Sequence, residues 1–180
     1  AVEEYKKSIE IDPFNPKAHF YLGAVLEETG RKEESVLRIK RSIELDPENP
    51  EALNYLGYIY ADEGRNLDEA LELVKKALRL SPENGAYIDS LGWVYFKKGM
   101  FEEAQRELEK AKEIIGEDAV VYDHLGDVYF KTGSLDKAKE AWTKSLGLKP
   151  DEKVKEKLRQ LLKNPPSAQF IPSKVEGLGT

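Results

Sequence analysis

Residues 88–104 read IDSLGWVYFKKGMFEEA, an apolar helical stretch that carries Gly92 in its interior and runs on to a second glycine, Gly99. The helix that follows places Phe101 and Ala104 inward in its first turns. The pattern predicts a helical hairpin. A glycine inside a helix costs about 1 kcal/mol relative to alanine, so one occurrence carries little information, but this one recurs. Gly23, Gly57, Gly92 and Gly126 are separated by 34, 35 and 34 residues, and Gly30, Gly64, Gly99 and Gly133 keep the same steps.

The small residues Ser35, Ala70, Ala104 and Ala138 step instead by 35, 34 and 34. One extra residue therefore falls after Gly64 and before Ala70, in the segment RNLDE, where a turn absorbs an insertion more cheaply than a helix does. Ser42, Ala77, Ala111 and Ser145 also recur, as do Pro13, Pro47, Pro82 and Pro150, with Gly116 replacing the expected proline once. The pattern predicts helix pairs over residues 16–29 and 32–45, 50–63 and 67–80, 85–98 and 101–114, and 119–132 and 135–148. Pro16 and Pro50 suit first helical positions, where the missing N–H costs nothing. Glycine inside each first helix and a small residue in each second helix permit close approach, with Leu26, Tyr60, Tyr95 and Tyr129 facing Ile39, Val74, Leu108 and Trp142 as volume fillers.

Residues 1–13 align with a second helix whose partner is missing, with Ala1, Tyr5 and Ser8 at the inward positions. Its uncovered stripe of Val2, Tyr5 and Ile9 points to a fragment of a longer protein or to an interface. Residues 151–163 form one more amphipathic helix, with Val154, Leu158, Leu161 and Leu162 on one side and lysines on the other. Residues 164–180 carry three prolines and two glycines without helical period and read as an extended tail.

On these residues the chain resembles the tetratricopeptide repeat, a unit of about 34 residues made of two antiparallel helices. The leucine–glycine pairs Leu22-Gly23, Leu56-Gly57, Leu91-Gly92 and Leu125-Gly126 carry the likeness. Repeats fall at 16–49, 50–84 (with the inserted residue), 85–118 and 119–150, followed by the capping helix. The phrases NYLGYIYADEG, DSLGWVYFKKG and YDHLGDVYFKTG also look like bacterial members of the family. The resemblance implies an all-α, right-handed solenoid of antiparallel helix pairs.

Composition narrows the function classes. Charged residues make up 34% of the chain and the formal net charge is −6, which argues against tracking a phosphate backbone. With no cysteine there is no disulfide framework, thiolate nucleophile or cysteine-bound zinc. No uninterrupted apolar run approaches the roughly 20 residues that span a bilayer, and no signal peptide is visible at Ala1. Cytoplasmic and cell-envelope locations both stay open.

No catalytic constellation is present. His19 and His124 lie three repeats apart without a nucleophile pattern near either, and phosphate-loop, dinucleotide and paired-histidine metal motifs are absent. The reading is of a protein that is no enzyme, with no cofactor and no metal, its histidines packing near helix seams. Asp123 and Asp127, four apart, share one helix face and repel, either as a solvated acidic face or awaiting a cation.

The family resemblance implies that outward stripes of the first helices line a concave binding surface. Here the stripes are Phe20, Asn54, Asp89 and Asp123; Ala24, Tyr58, Trp93 and Asp127; and Glu27, Ala61, Phe96 and Phe130. The expected groove is aromatic and acidic, suited to a basic or apolar segment of a protein partner. The carboxylate clamp of some family members is missing, its basic positions being taken by Phe20, Ala86 and Ser90. The function expected is a non-catalytic protein-interaction scaffold, with no nucleic acid and no membrane span. Two alternatives remain: self-assembly through the terminal half repeat and the tail, and the regulatory array of a larger enzyme. Phe170, Ile171, Val175 and Leu178 give the tail apolar residues for docking on its own or a neighbouring groove, with Lys174 available to an aspartate.

Overall fold

Asparagine or aspartate caps the first helix of each pair, and a glycine with positive φ follows its end. In a computed structural model, which describes residues 1–163, Asn15 accepts a hydrogen bond from the Ala18 amide and Asn49 from the Ala52 amide. Asn84, Asp118 and Asp151 each accept from two amides of the turn that follows. Each cap satisfies first-turn donors that have no partner inside the helix. The tail residues Phe170, Ile171, Lys174, Val175 and Leu178 lie outside the described residues.

Among the described residues ten helices and no strands form. They are α1 (Val2–Ile11), α2 (Pro16–Glu28), α3 (Lys32–Leu45), α4 (Pro50–Asp62), α5 (Leu67–Leu80), α6 (Gly85–Lys97), α7 (Phe101–Ile115), α8 (Ala119–Lys131), α9 (Leu135–Leu148) and α10 (Glu152–Lys163). The chain divides into two compact units, the first spanning Ala1–Ile114 and the second starting at Ile115. In the first, α2 pairs with α3 and α4 with α5, α6 packs on both α4 and α5, and α1 lies against α2. In the second, α8 pairs with α9, and α10 packs on α9.

Glycine sets the spacing inside each hairpin. A Cβ added at Gly57 would lie 2.6 Å from Val74 Cγ2 and 3.0 Å from the Ala70 carbonyl oxygen. At Gly92 it would lie 2.6 Å from Leu108, and at Gly126 it would strike the Trp142 ring. Ala70, Val74, Ala104, Leu108 and Ala138 are fully buried on the facing helices. One core cluster of the first unit joins Phe20, Ile39, Leu56, Tyr60, Val74, Trp93 and Val94 among others.

Two departures from strict periodicity have local causes. In the segment RNLDE, Asn66 takes a left-handed conformation with φ 50° at the start of α5, a region that asparagine tolerates better than other residues with a Cβ. Where proline is missing after α7, that helix is 15 residues long against 14 for α3, α5 and α9. Gly116, with φ 85°, then turns the chain.

Gly57→Ala should destabilise the fold by about 1–3 kcal/mol despite the better helix propensity of alanine, because Val74 is stiff and the Ala70 carbonyl is backbone. Gly147→Ala, on α9 with no atom within 4 Å of the added Cβ, should instead stabilise by up to about 1 kcal/mol. Urea unfolding followed by circular dichroism measures both; equal effects at the two sites would contradict the close-approach explanation.

Candidate functional site

The hairpin register turns one stripe of each first helix away from its second helix, and the two units carry different chemistry there. In the first unit, Phe20 on α2 is 4% exposed. Its ring lies edge-on to Tyr55, with centroids 5.7 Å apart, and 5.3 Å from Tyr21. On α4, Asn54 and Tyr58 are half-buried, and Tyr58 packs on the core cluster. The Asn54 amide oxygen is buried with no hydrogen-bond partner.

On α6, Asp89 and Trp93 are each 6% exposed and Phe96 is half-buried. Trp93 and Phe96 stack with centroids 5.0 Å apart and planes 9° from parallel. Lys97 lies across the Trp93 ring, its Nζ 4.7 Å from the centroid, and donates to the Asp62 carbonyl at 3.0 Å. That carbonyl belongs to the last residue of α4, where the helix end favours a cation. Trp93 is therefore largely core, with its outer edge screened by a lysine one turn further along its own helix.

In the second unit the stripe on α8 carries Asp123, Asp127 and Phe130. Lys157 of α10 donates to Asp123 Oδ1 at 2.7 Å and to Asp127 Oδ2 at 2.8 Å. The three side chains are only 30%, 24% and 13% exposed for Lys157, Asp123 and Asp127. Lys157 Nζ also lies 6.0 Å from the centre of the Trp142 ring, and Phe130 packs against that tryptophan at 5.7 Å. The cation that the two aspartates need thus comes from the chain itself. Position alone offers a signal for this. Asp151 caps α10 as Asp118 caps α8, so α10 follows in the register of a first helix. Arg159 stands where α8 has Gly126, and Leu162, 58% exposed, stands where α8 has Tyr129.

Burial pushes the Asp127 carboxyl above the ordinary aspartate value, although Lys157 pulls the other way. Burial alone would lower the Lys157 ammonium, but Asp127 and Asp123 outweigh it and hold the value above that of a free lysine. His19 and His124 are each 4% exposed, and His19 Nε2 contacts the Pro13 carbonyl at 3.1 Å. Among the described residues no group of three or more His, Cys, Asp or Glu is placed to hold a metal ion. No described helix is long and apolar enough to cross a membrane.

Sequence models of the tetratricopeptide repeat match residues 28–85, 62–123 and 119–152, and a model of the TPR repeat matches residues 1–30. The chain belongs to the tetratricopeptide repeat family. No curated protein matches it significantly in sequence. Among solved structures it is similar to TTC0263, a thermophilic TPR protein of Thermus thermophilus, with 20% identity, 89% of this chain and 88% of that one covered, and a TM-score of 0.75. It is also similar to MamA from Desulfovibrio magneticus RS-1, with 17% identity, coverage of 92% and 86%, and a TM-score of 0.65. A chain of the APC/C Cut9–Hcn1 hetero-tetramer matches with 20% identity, 91% of this chain but 33% of that one, and a TM-score of 0.80. At such identities the likeness is one of fold. This tetratricopeptide repeat protein is accordingly all-α and of the solenoid class.

Within the repeat fold, the Lys157 contact carries a pH signature. A carboxyl held above its ordinary value favours the fold in its protonated form, so Asp127 contributes stability at acid pH that is lost as the pH rises through the raised value. Lys157, held above its ordinary value, contributes at neutral pH and loses this only above the lysine range. Lys157→Met leaves two partly buried carboxylates without their cation and should cost about 1–3 kcal/mol at neutral pH, between surface and buried pairs. The cost should shrink as Asp127 protonates, so urea midpoints of wild type and variant should converge between neutral pH and roughly pH 4.

Proposed function

We propose that this tetratricopeptide repeat protein is a non-catalytic scaffold whose first-helix stripe binds a basic or apolar segment of a partner protein. The observation that carries the reading is Lys157, held between Asp123 and Asp127. It is a lysine reaching the stripe of α8 from α10, which packs on α9, and so an internal example of the ligand chemistry that stripe accepts. In the second unit that position is already taken by α10. Recognition of a separate partner therefore falls to the first unit, where the half-buried Asn54, Tyr58 and Phe96 occupy the same register on α4 and α6 and Asp89, 6% exposed, sets the charge beneath them.

Asn54 supports this assignment. A buried acceptor left unpaired costs about 1–3 kcal/mol, and a donor from a bound segment would relieve that cost after a small rotation of the amide. Tyr58 and Phe96 add contact area at low entropy cost. Phe20 and Trp93 back these residues from within the core rather than meeting the partner directly. Another solved chain of the same fold sits in a hetero-tetramer, the Cut9–Hcn1 assembly, which is in keeping with a scaffold role. A bacterial source and a cell-envelope or cytoplasmic setting belong to the same proposal and rest on sequence likeness alone.

The double variant Asn54→Ala/Tyr58→Ala tests the reading. Both residues are half-buried, so the melting temperature should stay within a few degrees of wild type, whereas truncating Trp93 would empty core. Affinity purification of partners from cells should lose its specific bands, with affinity reduced at least about tenfold for the loss of two central contacts. Unchanged recovery of partners by a folded double variant would remove the stripe from consideration.

A further inference from the structure

On the other side of α6 from the Asp89 and Trp93 stripe, an open trough of about 450 Å³ runs between α5 and α7. About the α6 axis, at roughly 100° per residue, Leu91 points about 140–160° away from Asp89, Trp93 and Phe96, and Ile88 lies at the flank, about 80–140° from them. Ile88 and Leu91 close the trough floor at 1% and 8% exposure, and Leu78 and Pro82 form apolar walls. The rim carries three cations, Lys75, Arg79 and Lys110, against one carboxylate, Glu107. Glu107 already faces Arg106, at 3.7 Å.

Several surface lysines of the described residues make no ion pair, Lys76 and Lys112 among them, and what distinguishes Lys75, Arg79 and Lys110 is that all three ring one apolar floor. Among the described residues none of Lys75, Arg79 or Lys110 makes an ion pair, while Arg31, Arg41, Lys98, Lys144 and Lys157 are all paired. A chain of net charge −6 thus gathers three unpaired cations around an apolar floor. The trough is open rather than enclosed, with Arg79, Pro82 and Lys110 exposed, so it does not provide the burial that holds a small molecule. An elongated segment suits it better, with apolar side chains on the floor and carboxylates against the rim.

We infer that the α5–α7 face is a second docking surface, for an acidic segment of a partner protein that carries bulky apolar side chains. It is independent of the first-helix stripe and opposite to it in charge preference. Both surfaces belong to the same unit, so one partner of each kind binds without competing for residues.

Fluorescence anisotropy of a fluorescein-labelled peptide repeating Glu-Glu-Leu-Glu tests this on the full chain. Saturable, salt-sensitive binding to wild type is expected, and K75E/R79E/K110E should weaken it by about tenfold or more, since close charge pairs across an interface are turned repulsive. The neutral K75Q/R79Q/K110Q variant should show a smaller loss of the same sign, and Asn54→Ala/Tyr58→Ala should bind like wild type. Circular dichroism and melting confirm that each variant is folded. No saturable binding would overturn the inference. So would equal binding of the glutamine-for-glutamate peptide, or a loss seen only in the Asn54/Tyr58 variant. Cosedimentation with phosphatidylserine vesicles, abolished by the charge reversal without peptide binding, would assign the face to an anionic membrane surface instead and overturn it as well.

Discussion

Everything in this fold hangs on the closeness with which paired helices approach at four interior glycines. Gly23 and Ile39, Gly57 and Val74, Gly92 and Leu108, and Gly126 and Trp142 are the contact pairs, each with no room for a Cβ. A glycine in mid-helix gives up about 1 kcal/mol of helix propensity, and the close packing it permits more than offsets this by burying a large side chain of the facing helix. Because the same pair fixes the same rotation in every hairpin, each first helix presents the same stripe away from its partner. The stripe is then free to vary, and it does: Phe20, Asn54, Asp89 and Asp123 occupy one register with four different side-chain environments.

The fold was legible because its determinants are local. Glycine at a turn, glycine inside a helix and a small residue a fixed distance on are readable without knowing what lies across the structure, and even the extra residue near Asn66 could be placed by subtraction. The capping side chains Asn84 and Asp118 follow the same local logic. The surface was less legible. Helical spacing gives the direction in which Phe20 or Trp93 points but not what covers it, and both turn out to be almost fully buried. For Trp93 a local clue was present, since Lys97 stands four residues on, where a helix brings side chains together. For Asp123 and Asp127 the partner is 34 and 30 residues away, and only the register of α10 as a further first helix anticipates it.

Electrostatics then separates what the stripe holds from what it offers. On α8, two carboxylates share one ammonium in a partly buried site, and burial leaves Asp127 harder to ionise than a free aspartate. Such a cluster is stable only with its cation in place, which ties α10 to α8 as well as to α9 within the second unit. The same residue that holds α10 also lies beside Trp142, whose ring fills the space above Gly126. The close-approach pair of the last hairpin thereby supports the ion site as well as the hairpin.

A helix in such a repeat has more than one side to spend on recognition. On α6, Leu91 and Gly92 belong to the hairpin, Asp89 and Phe96 face one way, and Ile88 contributes from the flank to the trough between α5 and α7. Asp89 and Phe96 do not line the trough, which is formed by Ile88 and Leu91 with Lys75, Arg79 and Lys110 at its rim. Opposite charge on the two sides follows from the same independence: the rim cations of α5 and α7 do not neutralise the aspartate stripe, and neither constrains the glycine contacts that hold the helices together. Two recognition surfaces of unlike chemistry can therefore be changed separately on one rigid hairpin stack, provided that Gly57, Gly92 and their facing side chains are kept.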